Sequence, residues 1–166
     1  SLLAFPCPIL FALLINEIGN TAYKRTVQMI SFAPHFISTV VVCSMTLLFL
    51  SRSNGVINNI IALFGGERRD FISDPALFAP IYVISGVWQN LGWDSIIYIA
   101  ALSSVPVELY EAARIDGANR MGIVAHINIP MILPTAIILL IFNTGSLLSV
   151  GFEKIYLLHN SLNLGV

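Results

Sequence analysis

The residues best suited to binding chemistry lie in one stretch, from Glu108 to Pro134, between two long apolar runs. It mixes acids, bases and small residues and reads ELYEAARIDGANRMGIVAHINIPMILP. Its first half is rich in glutamate, alanine, leucine and arginine, which favour a helix. Pro106 suits the start of that helix, where the N–H needs no partner, and Glu108 then lies near the positive end of the helix dipole.

This predicted helix is suited to contacting another protein. Ala112 and Ala113 are small enough to let a second surface approach closely, and Glu111 offers an acceptor for a charge-assisted hydrogen bond. The alternative is a solvent-exposed helix-turn-helix that only connects two spans, since charged helix faces are usually solvated. The residue types by themselves leave both interpretations open.

A turn is predicted at Asp116-Gly117. Gly117 is free to adopt the left-handed conformation that ends a helix, and Asp116 is expected to cap the element that follows. We predict a second short helix from Asn119 to Asn128. Pro130 and Pro134 then introduce the next apolar span.

Polar residues also occur inside the apolar runs. Asp94 is the one acidic residue of its run, close to Gln89 and Asn90, and an ionisable group at membrane depth is a functional hypothesis by default. Asp94 and Asn90 are therefore candidates for lining a solute path. The alternative for Asp94 is a structural hydrogen bond to a backbone N–H or to Ser95.

The last apolar run carries Asn143, Thr144 and Ser146 in its second half. These side chains are candidates for hydrogen bonding a solute, with Asn143 and Ser146 the two assigned to the candidate path, although hydrogen bonding between helices is the favoured interpretation. Trp88 and Trp93 could stack on a solute ring, but anchoring at the membrane interface is the favoured role.

The sequence lacks the patterns of enzymes and cofactor sites. It contains no phosphate-binding glycine loop, no nucleophile elbow and no metal-binding helix. The three histidines are isolated, and Cys7 and Cys43 lie in separate apolar runs as packing residues. We therefore expect no cofactor, no metal site, no ATP binding by this chain and no enzyme activity.

The composition indicates an integral membrane protein, which is expected to contact the lipid bilayer. Of the 166 residues 57% are hydrophobic and 10% are charged, whereas an ordinary soluble domain is about 25% charged. The formal net charge of −1 gives no indication of a nucleic-acid partner.

Four apolar runs predict a polytopic bundle of transmembrane helices and an all-α fold class. A lone strand would leave its backbone unpaired in lipid, so each run is expected to be helical. Three runs reach the length of roughly 20 residues that a crossing needs, and Pro34 should be tolerated in the first turns of one of them. The first run is short and is expected to be the end of a truncated span. The runs cover residues 1–15, 29–50, 75–105 and 130–150.

Two polar connections separate the first three runs. Residues 17–28 are predicted to form a loop or a short interfacial helix. The connection 51–74 contains apolar residues at helical spacing, which predicts a short amphipathic helix over 56–64 that lies at the membrane surface and ends at Gly65-Gly66. Asn58 is expected on its polar side.

The spacing within the central stretch carries a family resemblance. Glu111-Ala112-Ala113, three residues, Gly117, nine residues and then Ile127-Asn128-Ile129-Pro130 resemble the EAA loop of ABC importer permeases. Ile129 stands where that pattern usually has leucine, which is a volume-conserving change. The flanking Leu109-Tyr110 and the segment FEKIYLL at 152–158 resemble the carbohydrate-uptake branch of the family.

The resemblance implies the core of a type I importer permease in the plasma (inner) membrane. Its loop, residues 106–130, would be cytoplasmic and would dock on ATP-binding subunits, with residues 51–74 outside. A second permease subunit would complete the pore, and an extracytoplasmic solute-binding protein would deliver a sugar or oligosaccharide. The ATPase-coupling residues would be Glu111, Ala112, Ala113, Asp116, Gly117, Ile127 and Pro130.

The orientation depends on the resemblance, because basic residues do not decide it. In that topology Lys24, Arg25, Arg114 and Arg120 are inside, whereas Arg52, Arg68, Arg69 and Lys154 are outside. Because each side has four basic residues, the positive-inside rule does not determine the orientation.

Two other classes of function remain as alternatives. A secondary transporter or channel without an ATPase partner would need broken helices and several paired charges within the membrane, and Asp94 is the one candidate. A membrane enzyme is disfavoured by the missing catalytic patterns. Since the chain begins within an apolar run and ends without a closing span, residues 1–166 are expected to be a single permease domain truncated at both ends.

Overall fold

The protein is helical throughout the part of the chain that the structure describes. The computed structural model describes residues 4–146 and 152–158, apart from the side chains of residues 146 and 152–154. Within those two ranges every regular element is a helix and no strand occurs. The predicted all-α class is confirmed.

The α-helices of the described ranges follow one another along the chain with short connections. In order they are α1 (Pro6–Asn16), α2 (Thr21–Phe32), α3 (Thr39–Leu50), α4 (Val56–Leu63), α5 (Pro75–Ser103), α6 (Val107–Ile115), α7 (Arg120–Ile123), α8 (Ile129–Ser146) and α9 (Phe152–Leu158). A 3₁₀-helix covers Ala33–Phe36, and a π-helix covers Val124–Asn128. Of the two predictions for residues 17–28, the short helix is correct, and Asn20 caps it by accepting bonds from the N–H groups of Ala22 and Tyr23.

One described helix is long and apolar enough to cross a membrane by itself. It is the 26-residue helix Arg120–Gly145. Two bent pairs also qualify if each counts as one span, namely Thr21–Phe36 with Thr39–Leu50 and Pro75–Ser103 with Val107–Ile115, and Pro6–Asn16 is a shorter apolar helix.

The predicted single helix over residues 29–50 is wrong, because the chain breaks at Ile37-Ser38. Regular α-helix ends at Phe32, just before the pair Ala33-Pro34. Pro34 supplies no N–H for the carbonyl of Ile30, four residues earlier, and its ring crowds that carbonyl. The side chain of Ser38 then accepts a bond from the N–H of Val41 and caps α3.

The prediction of a second short helix separate from the last span is also wrong. α7, the π-helix and α8 continue from Arg120 to residue 146 without a break. Pro130 has no N–H for the carbonyl of His126 and its ring crowds that carbonyl, which favours the wider π turn. Successive buried positions consequently step by five residues and then by four, at Ile123, Asn128, Ile132 and Ala136.

The chain divides into two compact units. The first comprises residues 1–34 and 90–149. Its core joins α1, the second half of α5 and α8, through Ala12, Leu13, Tyr98, Leu102, Ile132 and Ala136. Gly92 lets α5 approach α2 closely, since a Cβ there would lie 2.2 Å from the carbonyl oxygen of Ser31.

The second unit comprises residues 35–89 and 150–166. Within it, α3 packs against α4 and α9. The short helix predicted over 56–64 is present as α4, but the polar side on which Asn58 was predicted is covered at that residue. Asn58 is completely buried, where its amide nitrogen donates to the carbonyls of Ser51 and Arg69 at 3.0 and 2.9 Å. The connection folds back over this side of α4, and its part-buried carbonyls are paired there by the Asn58 amide.

Candidate functional site

The helix α6 directs most of its side chains away from the rest of the first unit. Glu111 and Ala112 are exposed, whereas Tyr110 and Ala113 are half-buried on the inner side. Glu108 in the first turn and Arg114 in the last both suit the helix dipole.

Large apolar side chains surround the exposed small and charged residues of this region. Ile115 is 86% exposed and Met121 is 75% exposed, with Leu109 also exposed. A surface of this mixed kind, apolar with a few charges, is typical of protein–protein contacts.

The turn after α6 has the geometry predicted for Gly117. Its φ is 77°, in the left-handed region, and no described atom lies within 4 Å of the position that a Cβ would take. The N–H of Gly117 donates to the carbonyl of Arg114 and that of Ala118 to the carbonyl of Ala113, at 3.1 and 2.9 Å. This pair of bonds is a Schellman motif, which fixes the direction of the chain as it leaves the helix.

The predicted role of Asp116 as the cap of the following helix is wrong. Asp116 is the exposed C-cap residue of α6 itself. Asn119 caps α7, because its side chain accepts a bond from the N–H of Gly122 at 2.7 Å. Two residues, Gly117 and Ala118, lie between Asp116 and Asn119, so Asp116 stands three positions too early to cap α7.

Sequence reasoning missed the residues that hold α6 in place. The Tyr110 hydroxyl donates to Oδ1 of Asn128 at 2.7 Å, and the Asn128 side chain is completely buried. The side chain of Asn16, the last residue of α1, also lies close enough to Tyr110 to influence its hydroxyl. Of the remaining coupling residues, Ile127 is half-buried and Pro130 is exposed. The spacing of 18 residues between Tyr110 and Asn128 carries no helical or turn signal that would have predicted their contact.

The hydroxyl of Tyr110 remains protonated at physiological pH. Burial raises the pKa of Tyr110 above its ordinary value, and the negative charge of Glu17 adds to this, while the side chain of Asn16 acts in the opposite direction. The group is therefore a stable hydrogen-bond donor in the pH range of a living cell.

The first unit also contains a cavity beside α5. Its volume is about 330 Å³, and it brings together two of the predicted solute-path residues, Asp94 and Asn143. Trp93 and Tyr98 contribute aromatic surface to the same cavity. The amide nitrogen of Asn143 donates to the carbonyl of Leu139, one turn earlier in α8.

The other predicted path residues do not join this cavity. Asn90 is half-buried and is not among the residues that line it, and the side chain of Ser146 lies outside the described part of the chain. Thr144 bonds its own helix, at the carbonyl of Ile141. Trp88 lines a separate, largely apolar cavity of about 410 Å³ within the second unit.

No metal-binding arrangement is found among the residues described. No three side chains of the histidine, cysteine, aspartate and glutamate types come together in residues 4–146 and 152–158. Neither Cys7 nor Cys43 is part of a disulfide bond, and Cys43 is buried in the second unit.

The sequence matches a known family over most of its length. The model of the family "Binding-protein-dependent transport system inner membrane component" matches residues 4–151. Protein LplB of Bacillus subtilis is 45% identical over 165 residues, which is 99% of this chain and 52% of that protein. The polygalacturonan/rhamnogalacturonan transport system permease protein YteP of the same organism is 43% identical over 96% of this chain and 50% of its own length.

The fold agrees with these matches. A bacterial ABC transporter involved in the import of the acidic polysaccharide alginate superposes with a TM-score of 0.94, at 44% identity over 98% of this chain and 57% of that chain. The present chain spans about half the length of the curated relatives it matches. The resemblance predicted from the EAA spacing is thereby confirmed, and the chain belongs to the family of binding-protein-dependent transport system inner membrane components.

Proposed function

We propose that this chain is part of the membrane-spanning permease subunit of an ATP-driven importer, and that it moves a sugar or oligosaccharide. The observation that carries the proposal is the exposed α6 with its fixed Schellman turn. Glu111 and Ala112 are accessible there, and the position of Gly117 agrees with the EAA spacing. A partner ATPase that moves this helix would do mechanical work on the spans joined to it.

The partners follow from the same family membership. Cytoplasmic ATP-binding subunits would contact loop 106–130, a second permease subunit would complete the pore, and an extracytoplasmic binding protein would deliver the solute. Support comes from a second solved structure, a bacterial alginate ABC transporter in complex with an alginate pentasaccharide-bound periplasmic protein, which is 45% identical to this chain. This chain supplies the coupling surface, and ATP hydrolysis belongs to its partner.

The cavity beside α5 supports a carbohydrate as solute. Its volume of about 330 Å³ falls within the range of small-molecule sites, roughly 300–1,000 Å³. The carboxylate of Asp94 can accept hydrogen bonds from sugar hydroxyl groups, and the amide of Asn143 can both donate and accept them. Trp93 and Tyr98 offer rings for the apolar face of a sugar. Relatives named for oligosaccharides include the arabinooligosaccharide permease AraP of Bacillus subtilis.

The test is reconstitution of the full-length permease with its partner subunits in vesicles, followed by uptake of labelled oligosaccharides. Accumulation should require both ATP and the binding protein. Uptake that runs on an ion gradient without the ATPase would contradict the proposal and favour a secondary transporter.

Variants of Asp94 test the proposed path. Asp94→Asn and Asp94→Leu should both assemble normally and should lower uptake, the leucine variant more, because it removes every hydrogen-bonding atom. If Asp94 faced lipid instead, Asp94→Leu would raise thermal stability with uptake intact, since a carboxylate at the bilayer centre costs about 2.5–3.5 kcal/mol on insertion scales.

A further inference from the structure

The π-helix between α7 and α8 determines which side chain faces α6. Ile123 and Asn128 are both buried, although they are five residues apart. A regular α-helix repeats its face after three or four residues, so without the wider turn Ile127 would follow Ile123 on that face. The π-helix therefore exchanges an apolar residue for an amide at the position opposite Tyr110.

Three helices meet at Tyr110 in a cluster of polar side chains, which we call the Tyr110 relay. It consists of Asn16 at the end of α1, Tyr110 in α6, and Asn128 at the end of the π-helix. Tyr110 is the central member, because its hydroxyl donates to Asn128 and lies near the amide of Asn16. All three residues belong to the first unit.

An amide at position 128 is not the most stable choice of side chain for this buried site. The Nδ2 atom of Asn128 is buried and has no hydrogen-bond partner among the described residues. A buried N–H without a partner destabilises the folded state, and an apolar side chain of similar size would avoid that loss. The contribution that only the amide makes is a directional bond to Tyr110, which fixes the angle of α6.

We propose that Tyr110 is a positioning residue that holds α6 at a fixed angle to α1 and α8, so that displacement of α6 by the ATPase moves those spans with it. This inference rests on the proposed function as an ATP-driven permease. The exposed residues of α6 would receive the displacement, and the Tyr110 relay would transmit it. Without the hydroxyl, α6 would still dock on the ATPase but would turn without carrying the two spans along.

The first experiment compares uptake and ATP hydrolysis in the reconstituted full transporter. Tyr110→Phe should leave membrane levels and bound ATPase unchanged and should lower the uptake per ATP hydrolysed about tenfold, the equivalent of 1.4 kcal/mol. Tyr23→Phe is the matched control, because it removes the hydroxyl of an exposed tyrosine in α2, and it should behave as the wild type.

A double variant separates positioning from simple stability. In Tyr110→Phe/Asn128→Leu both polar groups are replaced by apolar groups of similar shape, so thermal stability should recover relative to Asn128→Leu alone. Uptake per ATP should stay low, because the directional bond is still missing. Full recovery of uptake in the double variant, or full uptake in Tyr110→Phe, would overturn the proposal.

A distance measurement tests the relay even if the wild-type chain shows no ATP-driven uptake, which would count against the proposed function alone. Spin labels are attached through Gly19→Cys and Ile115→Cys, two exposed positions of the first unit, in a background without other cysteines. Tyr110→Phe should broaden the distribution of distances between the labels, and Tyr23→Phe should not. An unchanged distribution in Tyr110→Phe would overturn the relay.

Discussion

The connection 51–74 and the coupling loop 106–130 are both polar segments between apolar helices, yet they are held in different ways. In the first, one buried side chain organises the backbone. In the second, backbone bonds at a glycine turn and one distant side-chain contact hold the segment, while most side chains stay exposed. The first is complete within its own unit, whereas the second presents a surface that a partner would cover.

The connection 51–74 is stabilised around Asn58. The amide of this residue bonds the carbonyls of Ser51 and Arg69 and also accepts from the N–H of Arg69 at 2.9 Å. Arg68 adds bonds to the Ser53 carbonyl and to the side chain of Asn59. These contacts link the two ends of the connection across α4, so its conformation is determined locally.

The coupling loop depends on fewer contacts of its own. Its Schellman motif uses backbone groups only, and Tyr110 supplies the side-chain bond to a residue 18 positions later. Glu111, Ala112 and Ile115 are exposed. The loop is thus held at its base and open on its outer face, which agrees with the proposal that a partner moves it.

The largest expected effect is the all-or-none difference in accessibility between the two connections. Single cysteines are introduced as Ser53→Cys and Asn119→Cys in the full-length permease, with its native cysteines, Cys7 and Cys43 included, replaced by alanine. An impermeant thiol reagent applied to intact cells should label position 53 only, because the EAA resemblance assigns position 119 to the cytoplasm. Labelling of position 119 alone would invert the topology and defeat the coupling assignment.

The next effect is a loss of local order around Asn58. Asn58→Ala should destabilise the connection 51–74 by about 1–3 kcal/mol, because buried carbonyls and an N–H lose their partner. Hydrogen exchange of the purified protein should show loss of protection in that segment. Asn54→Ala, which alters an exposed asparagine of the same connection, is the control and should change stability by less than about 0.5 kcal/mol. Equal protection in the two variants would show that Asn58 does not organise the connection.

A smaller effect is expected at the turn of the coupling loop. Gly117→Ala should introduce strain of about 1–2 kcal/mol, because an L side chain disfavours positive φ. Gly19→Ala is the matched control, since Gly19 has equal open space around it without a positive φ. We expect normal membrane levels in both variants and weaker retention of the ATPase in Gly117→Ala, more so in Gly117→Val. Equal retention of the ATPase in Gly117→Ala and Gly19→Ala would show that the geometry of the turn does not contribute to ATPase binding.

Much of this architecture was predictable because the physical signals are local. Apolar runs predict helices in lipid, the composition of Glu108 to Arg114 predicts α6, and a glycine after Ile115-Asp116 predicts a left-handed turn. All of these features are present. The EAA spacing added the family, which periodicity alone does not supply.

The missed features depend on contacts that no local pattern encodes. Asn58 is buried because the chain folds back over it eleven residues later, at Arg69. The contact between Tyr110 and Asn128 requires the π-helix, whose one additional residue changes the inward face. Pro34 and Pro130 were visible, but the same residue type ends a helix at the first position and is accommodated by a wider turn at the second.

The most direct test of the central claim, that α6 couples the permease to an ATPase, is co-purification of the ATPase with the full-length permease, together with solute-stimulated ATP hydrolysis. Glu111→Ala is compared with Glu67→Ala, which removes an equally exposed acid from the connection 51–74. We expect weaker ATPase retention and loss of stimulated hydrolysis in Glu111→Ala, because a charge-assisted partner on the ATPase is left unpaired. Glu67→Ala should behave as the wild type. Full retention and full stimulation in both variants would contradict the coupling role of α6 and would make the loop a connector.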